Sequence, residues 1–97
     1  MYILDGHTPV PTEDMRAYGR MFKDPDARRV ARDRVGVLNV STVFLGTDHS
    51  FGDGPPLLFE TMVFGLSDEE PCDRYSTWDE AVAGHAAMVA WAKENQP

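Results

Sequence analysis

Apolar and polar positions alternate most regularly between residues 37 and 65, where two strand-like runs flank a loop. The first run, residues 37–46, is rich in Val, Thr, Phe and Leu and has no proline, which favours a β-strand. Its even-numbered positions are the more apolar, so we expect that face to pack beneath helices. The second run, residues 57–65, is apolar on both faces except for Glu60, which indicates a central strand. The joining loop, residues 47–56, is rich in Gly and Pro and is long for a hairpin.

A first helix is predicted over residues 12–22. Met15, Tyr18 and Phe22 share one face of such a helix, which gives it an apolar stripe. Thr12 occupies the position of an N-cap, where a hydroxyl can accept a hydrogen bond from a free backbone N–H group.

A second helix is predicted over residues 78–93, and the strongest local signal in the chain precedes it. Thr77 and Glu80 have the spacing of a capping box, in which a hydroxyl and a carboxylate satisfy backbone N–H groups of the first turn. The apolar stripe of this helix consists of Trp78, Ala81, Val82, His85, Met88, Val89 and Ala92.

Short extended segments complete the prediction. Residues 2–4 indicate an N-terminal strand, and the prolines within residues 7–11 favour an extended backbone. Residues 27–35 fit either a helix or a strand, and Gly36 before a clear strand favours a hairpin and therefore a strand. Residues 74–76 indicate one more short strand. We therefore expect a single α+β domain over all 97 residues: a small, mostly antiparallel sheet of three to four strands with two helices packed on it.

Charge is distributed unevenly along the chain, whose net charge is −7. Residues 1–46 hold seven Arg and Lys against six Asp and Glu, whereas residues 47–97 hold two against ten. Direct nucleic-acid binding is not expected, because contacts to phosphates need a basic surface. The acidic half either keeps the protein soluble or faces a basic partner, and mimicry of nucleic acid by its carboxylates is a further alternative.

Motifs for cofactors, metals and membranes are missing from the sequence. The single cysteine, Cys72, excludes an internal disulfide, and neither zinc-ligand spacing nor a phosphate-binding loop motif occurs. No signal peptide is visible, and no apolar run is long enough to span a membrane. We therefore expect a cytoplasmic protein without cofactor, metal or membrane contact.

Four titratable residues are the candidates for binding a ligand or partner: Asp48, His49, Glu60 and His85. Asp48 and His49, on the Gly-rich loop, could act as acid and base or could belong to the chemistry of a turn. Glu60 either marks a site or pairs with an arginine within residues 28–34. All four would have to converge to form a small enzyme or a metal-dependent hydrolase.

His85 lies in the middle of the apolar stripe, where a buried imidazole needs hydrogen-bond partners. The strand residues that could supply one are Asn39, Ser41, Thr42 and Glu60.

The back of the last helix offers a possible contact surface. Gly84 and Ala87 would let another helix approach closely, and Trp91 is of a type that favours interfaces. This face predicts a homodimer, unless its alanines serve helix propensity alone.

Three strings, YILDGHTPVP, VSTVFLGTDHSFGDGPPLLFETMVFG and RYSTWDEAVAGH, resemble an uncharacterised family of short phage- and prophage-encoded proteins. The resemblance spans nearly the whole chain and implies a small viral accessory protein that acts in the cytoplasm of a bacterial host. Similarity is greatest around Asp48, His49, Gly54, Pro55, Pro56, Phe59, Glu60, Thr61 and His85. This chain departs from the family at Thr47, where a short aliphatic residue is usual, and the loop is correspondingly more polar.

Size, the lack of a catalytic motif and the acidic half together favour a non-enzymatic binding protein. Such a protein would engage a host protein or sequester a small molecule. A small enzyme using Asp48, His49, Glu60 and His85 is the first alternative, and an acidic mimic of nucleic acid is the second.

Overall fold

The computed structural model describes residues 1–50, 52–67 and 70–97, and within them the chain has an α+β fold. The elements in chain order are β1 Tyr2–Asp5, β2 Thr8–Pro11, α1 Met15–Lys23, α2 Pro25–Arg28, β3 Arg29–Val35, β4 Leu38–Phe44, β5 Phe59–Phe64, β6 Cys72–Tyr75 and α3 Trp78–Glu94. The segment 27–35 is therefore mainly a strand, as the hairpin argument predicted.

Strands β3 to β6 form an antiparallel sheet in the order β3-β4-β5-β6, which confirms the expected small sheet. The register pairs Thr42 with Thr61 and Val43 with Glu60. Since neighbouring residues on a strand point to opposite sides, these two pairs lie on opposite faces. We call the side of Thr42 and Thr61 the helix face, because α3 packs there, and the side of Val43 and Glu60 the open face.

The core lies between the helix face and α3. The large apolar side chains of β4 and β5 are shielded from solvent here: Leu38, Val40, Phe44, Phe59 and Val63 are each 0% exposed. This confirms that the even-numbered face of β4 packs against a helix. Burial at about 25 cal/mol for each Å² of apolar surface is what holds such a sheet against its helix.

Helix α3 begins as predicted but is rotated relative to the predicted stripe. Thr77 accepts a hydrogen bond from the backbone N–H of Glu80, and the Glu80 carboxylate accepts from the backbone N–H of Thr77, so the capping box is confirmed. Val82 was assigned to the packed stripe, and this is wrong: its side chain is 48% exposed. Gly84 takes part in the packing instead, because the Tyr75 ring lies directly against it.

Helix α1 begins three residues later than predicted. Asp14 is its N-cap, since its carboxylate accepts hydrogen bonds from the N–H groups of Arg16 and Ala17, and Thr12 is not. Met15, predicted for the apolar stripe, is 67% exposed, while Met21 carries the buried contact. A carboxylate that satisfies two amides of the first turn outcompetes a hydroxyl placed two residues earlier.

The N-terminal strands β1 and β2 pair with each other in a separate antiparallel hairpin, which the sequence did not reveal. The backbone N–H of Tyr2 donates to the carbonyl of Gly46 at 2.8 Å, which ties the hairpin to the end of β4. His7 stacks on Trp78 with the ring centroids 3.8 Å apart and the rings 3° from parallel. These two contacts fix the hairpin between the loop after β4 and the start of α3.

Candidate functional site

His85 is at the centre of a chain of buried polar side chains between α3 and the sheet. Its Nδ1 lies 2.7 Å from the Thr42 hydroxyl, and that hydroxyl lies 2.5 Å from the hydroxyl of Thr61. On the other side of the ring, Nε2 lies 2.7 Å from the Asp33 carboxylate. Because a carboxylate only accepts, Nε2 donates to Asp33, and a neutral ring then accepts from Thr42 at Nδ1.

This chain of groups has the residue types of a catalytic triad but not the access. A hydroxyl, an imidazole and a carboxylate in hydrogen-bond sequence can activate a nucleophile. Thr42 and Thr61, however, are each 0% exposed and His85 is 5% exposed, so no substrate reaches a hydroxyl. Asp33 is the member that meets solvent to a large extent, with 57% of its side chain exposed. The group therefore serves to hold α3 on the sheet.

The predicted partners of His85 are partly confirmed. Thr42 is a partner, as expected. Asn39, Ser41 and Glu60 are not, because strand alternation places them on the open face. Sequence reasoning missed Asp33 and Thr61. Thr61 could have been found from the alternation in β5, whereas Asp33 required the register of β3.

Glu60 forms an ion pair, but with a different arginine from the one predicted. Its carboxylate accepts from Nε of Arg74 at 2.9 Å, and the two residues are direct cross-strand partners between β5 and β6. An arginine within residues 28–34 was expected, and this is wrong because β4 separates β3 from β5. The same carboxylate and partial burial raise the pKa of the Cys72 thiol, burial being the larger cause. Cys72 is therefore not an activated thiolate.

The Asp48-His49 pair shows turn chemistry. The Asp48 carboxylate accepts from the backbone N–H groups of Ser50 at 2.8 Å and Leu57 at 2.9 Å, so it joins the two ends of the loop. These hydrogen bonds, with a smaller contribution from the charge of His49, hold the pKa of Asp48 below its usual range. His49 in turn lies 3.1 Å from the Thr47 hydroxyl. Phe51, in the same loop, lies outside the described residues.

The four candidate residues do not form one site. Glu60 is on the open face, His85 on the helix face, and the Asp48-His49 pair closes the loop after β4. Across the described ranges, no group of three or more His, Cys, Asp and Glu side chains could hold a metal ion. The arrangement expected for an enzyme or a metal-dependent hydrolase is therefore wrong for these four residues.

The face of α3 that was proposed for a dimer packs largely against other residues of the same chain. Gly84 lies against Tyr75, and Trp91 packs beside the buried cluster of Val35, Leu38, Val40, Val63 and Ala92. Ala87 alone of the three candidates is exposed. These contacts cover part of the surface of Gly84 and Trp91, and both the interface on this face and the homodimer stay predictions.

The carboxylates that cluster in the acidic half and could mimic nucleic acid are only partly described: Asp68, Glu69, Glu70, Asp73, Asp79 and Glu80. Asp68 and Glu69 lie outside the described residues. Of the remaining members, Glu80 is engaged in the capping box and Asp73 accepts from the backbone N–H of Arg74. None of the helices in the described part of the chain has both the length and the hydropathy of a membrane-spanning segment.

The open face carries a groove that sequence reasoning did not identify. Its volume is about 380 Å³, within the size range of small-molecule sites. Three arginines, Arg28, Arg29 and Arg32, line one side of it, and Asn39 and Ser41 lie on its strand side. The remaining lining is Pro25, Val43 and Phe64. The loose alternation of arginines in residues 27–35 was the available signal, but its meaning depended on which strand lay beside it.

Comparisons with known proteins found no matching family model, no matching curated protein and no matching solved structure. The function is therefore argued from the geometry of this chain.

Proposed function

We propose that this chain is a non-enzymatic binding protein that sequesters a small molecule in the groove of its open face. The observation that carries the proposal is the groove itself, which is concave and combines charged, polar and apolar side chains. Sites of that kind bind small molecules, because apolar walls supply affinity and a few polar groups fix orientation.

The two faces of the sheet differ in whether their polar side chains have hydrogen-bond partners, and this difference supports the proposal. On the helix face every polar group of the His85 chain has a partner within the protein. On the open face Phe64 is 40% exposed, and Asn39 and Ser41 form no side-chain hydrogen bond within the described residues. Free donors beside exposed apolar surface can be satisfied by a ligand.

The absence of convergent catalytic groups favours binding over catalysis. A reaction would need a nucleophile, acid or base within hydrogen-bond reach of a bound substrate. The groove is lined by guanidinium, amide and hydroxyl groups and by no His, Asp, Glu or Cys among the described residues. Arginine stays protonated, so it can hold and orient an anion but not exchange a proton at neutral pH.

The sequence resemblance indicates where such a protein would act. Short phage-encoded proteins with this sequence pattern would act in the cytoplasm of a bacterial host. Sequestration of a host small molecule fits a small accessory factor, and engagement of a host protein is the rival that the experiment below separates.

Native mass spectrometry of the protein purified from a bacterial host tests the proposal. We expect the wild-type protein to carry additional small-molecule mass. Ser41→Tyr would fill the groove and abolish that mass, whereas Ala87→Tyr, on the exposed side of α3, would retain it. Both variants introduce the same side chain, so a general effect of tyrosine is controlled.

Two outcomes would count against the proposal. One is a bare wild-type protein that also takes up nothing from a host metabolite extract by equilibrium dialysis. The other is a mass adduct that Ser41→Tyr leaves unchanged. Recovery of a single host protein by the wild type and not by Ser41→Tyr would instead establish a protein partner.

A further inference from the structure

The groove is locally basic although the chain as a whole is acidic. Three guanidinium groups line it, and the carboxylate that pairs with them is Asp26, which lies 2.8 Å from Arg29. Glu60, the acidic residue on the open face of the strands, already forms an ion pair with Arg74. Two positive charges are therefore left without a carboxylate partner among the described residues. Exposed charges more than about 8 Å apart are largely screened at physiological ionic strength, so acidic residues far from the groove offset this local excess little.

Two of the arginines are held in place without losing their charge. Arg28 lies over the ring of Phe22, 4.3 Å from its centroid, and its Nε is buried without a partner in the described part of the chain. Arg29 is positioned by Asp26, but the pair is exposed, so its net stabilisation is small and a ligand can compete for the guanidinium.

Arg32 is the most available of the three. It is exposed, it is the register partner of Ser41, and it makes no side-chain hydrogen bond within the described residues. Its neighbour on the same face, Arg34, differs in this respect, because Nε of Arg34 donates to the carbonyl of Gly36 at 3.2 Å. Arg34 does not line the groove.

We propose that the ligand is a small organic phosphate, whose phosphate lies against Arg28, Arg29 and Arg32 and whose flat body extends along β4 to the ring of Phe64. This inference rests on the proposed function, since it names the chemical class held at the same site. Arginine presents a planar fork of donors that matches two phosphate oxygens. Two unpaired guanidinium groups also match the charge of a phosphate dianion better than that of a monocarboxylate.

The other half of the groove suits the body of such a ligand. Val43, the register partner of Arg29, lies at the basic end, whereas Phe64, the partner of Asn39, lies at the other end. The ring of Phe64 is free to stack on a flat ligand because the side chain is exposed. The hydroxyl of Ser41 offers a hydrogen bond between the two ends, and the amide of Asn39 offers another beside Phe64. A volume of about 380 Å³ admits one molecule of roughly nucleotide size.

Isothermal titration of the full chain in a phosphate-free buffer tests the inference. The probes are a nucleoside monophosphate, the matching nucleoside and inorganic phosphate. We expect the nucleotide to bind and the nucleoside and inorganic phosphate each to bind at least about tenfold more weakly, because each lacks half of the contacts. Affinity should fall as salt rises from about 50 to 200 mM, since ion pairs to phosphate are screened.

Two arginine variants give a matched comparison. Arg32→Ala should weaken nucleotide binding about tenfold or more, through loss of charge-assisted hydrogen bonds. Arg34→Ala removes the same charge from the same strand and face but outside the groove, and should change the affinity by less than about twofold. Far-ultraviolet circular dichroism checks that both variants fold.

Several results would overturn the inference. They are no heat of binding for any phosphate, equal binding of nucleotide and nucleoside, or equal losses in Arg32→Ala and Arg34→Ala. Binding to vesicles containing phosphatidylglycerol but not to the nucleotide would identify a lipid surface instead. These failures leave the proposed function testable, because an adduct of another class that Ser41→Tyr abolishes would still support sequestration.

Discussion

At the scale of single residues, the fate of each polar side chain depends on which side of a strand it occupies. Thr42 and Thr61 are buried and hydrogen-bonded, while Ser41 and Glu60, one position away, face the other side of the sheet. The same chemical type therefore has a structural role on one face and is available for binding on the other.

The buried hydroxyl of Thr42 gives the first prediction at this scale. Thr42→Val keeps the shape but leaves Nδ1 of His85 and the Thr61 hydroxyl without a partner. We expect the free energy of unfolding to fall by about 1–3 kcal/mol, the cost of buried unsatisfied groups. Ser41→Ala, next to it on the open face, should change stability by less than about 0.5 kcal/mol. Urea denaturation measures both, and a Thr42→Val protein as stable as wild type would refute the structural role.

Asp48 gives a prediction about pH. Its pKa is lowered on folding, chiefly by the backbone N–H of Ser50, so its contribution to stability is present above the ordinary value of 3.8 and is lost as pH falls through the folded value. Wild type should therefore exceed Asp48→Asn in stability at pH 7, and the gap should close below about pH 4. Urea denaturation across this range measures the gap. A gap that widens in acid would contradict the assignment.

At the scale of elements, the packing of α3 depends on one close approach to β6. The ring of Tyr75 occupies the space where Gly84 would carry a Cβ atom. The Tyr75 hydroxyl is buried without a hydrogen-bond partner among the described residues, and this burial raises the pKa of Tyr75. The contact between α3 and β6 at this point therefore depends on shape complementarity.

Gly84→Ala should destabilise the protein although alanine is the better helix former. Alanine gains about 1 kcal/mol of propensity, but its Cβ overlaps the Tyr75 ring and must displace it from its buried position, which costs about 1–3 kcal/mol. Gly19→Ala in α1 is the control, because nothing lies within 4 Å of the added Cβ, and it should be neutral or stabilising. Thermal unfolding compares the two. If both variants gained stability equally, the close contact would be unimportant.

At the scale of the whole molecule, much of the fold could be predicted because its signals are local. The alternation in β4 and the capping box at Thr77 each depend on a few neighbouring residues, and both were confirmed. The partners of Glu60 and His85 could not be derived in this way, because they depend on the strand order and on the register. The groove could not be predicted without the strand order and the register, because Arg32 lies beside Ser41 only through the pairing of β3 with β4.

The N-terminal hairpin gives a prediction at this scale. It is held to the rest of the molecule by apolar packing of Tyr2, Ile3 and Leu4 against the core, by the stack of His7 on Trp78 and by the hydrogen bond from Tyr2 to Gly46. His7→Ala removes the stack, which is worth about 0.5–1.5 kcal/mol for an aromatic pair. Hydrogen exchange should become faster in β1 and β2 and stay unchanged in β4 and β5. Uniform acceleration, or none, would show that the stack does not hold the hairpin separately.

The separation of the two faces also affects how this protein can change over generations. Residues of the helix face are tied to folding, whereas residues of the open face can be exchanged at little cost in stability. A lineage could therefore retarget the groove by substituting alternate positions of β4, with the hydrophobic interior unaltered. Along Asn39, Val40, Ser41, Thr42 and Val43, a library of substitutions selected for folding should show tolerance that rises and falls with a period of two residues.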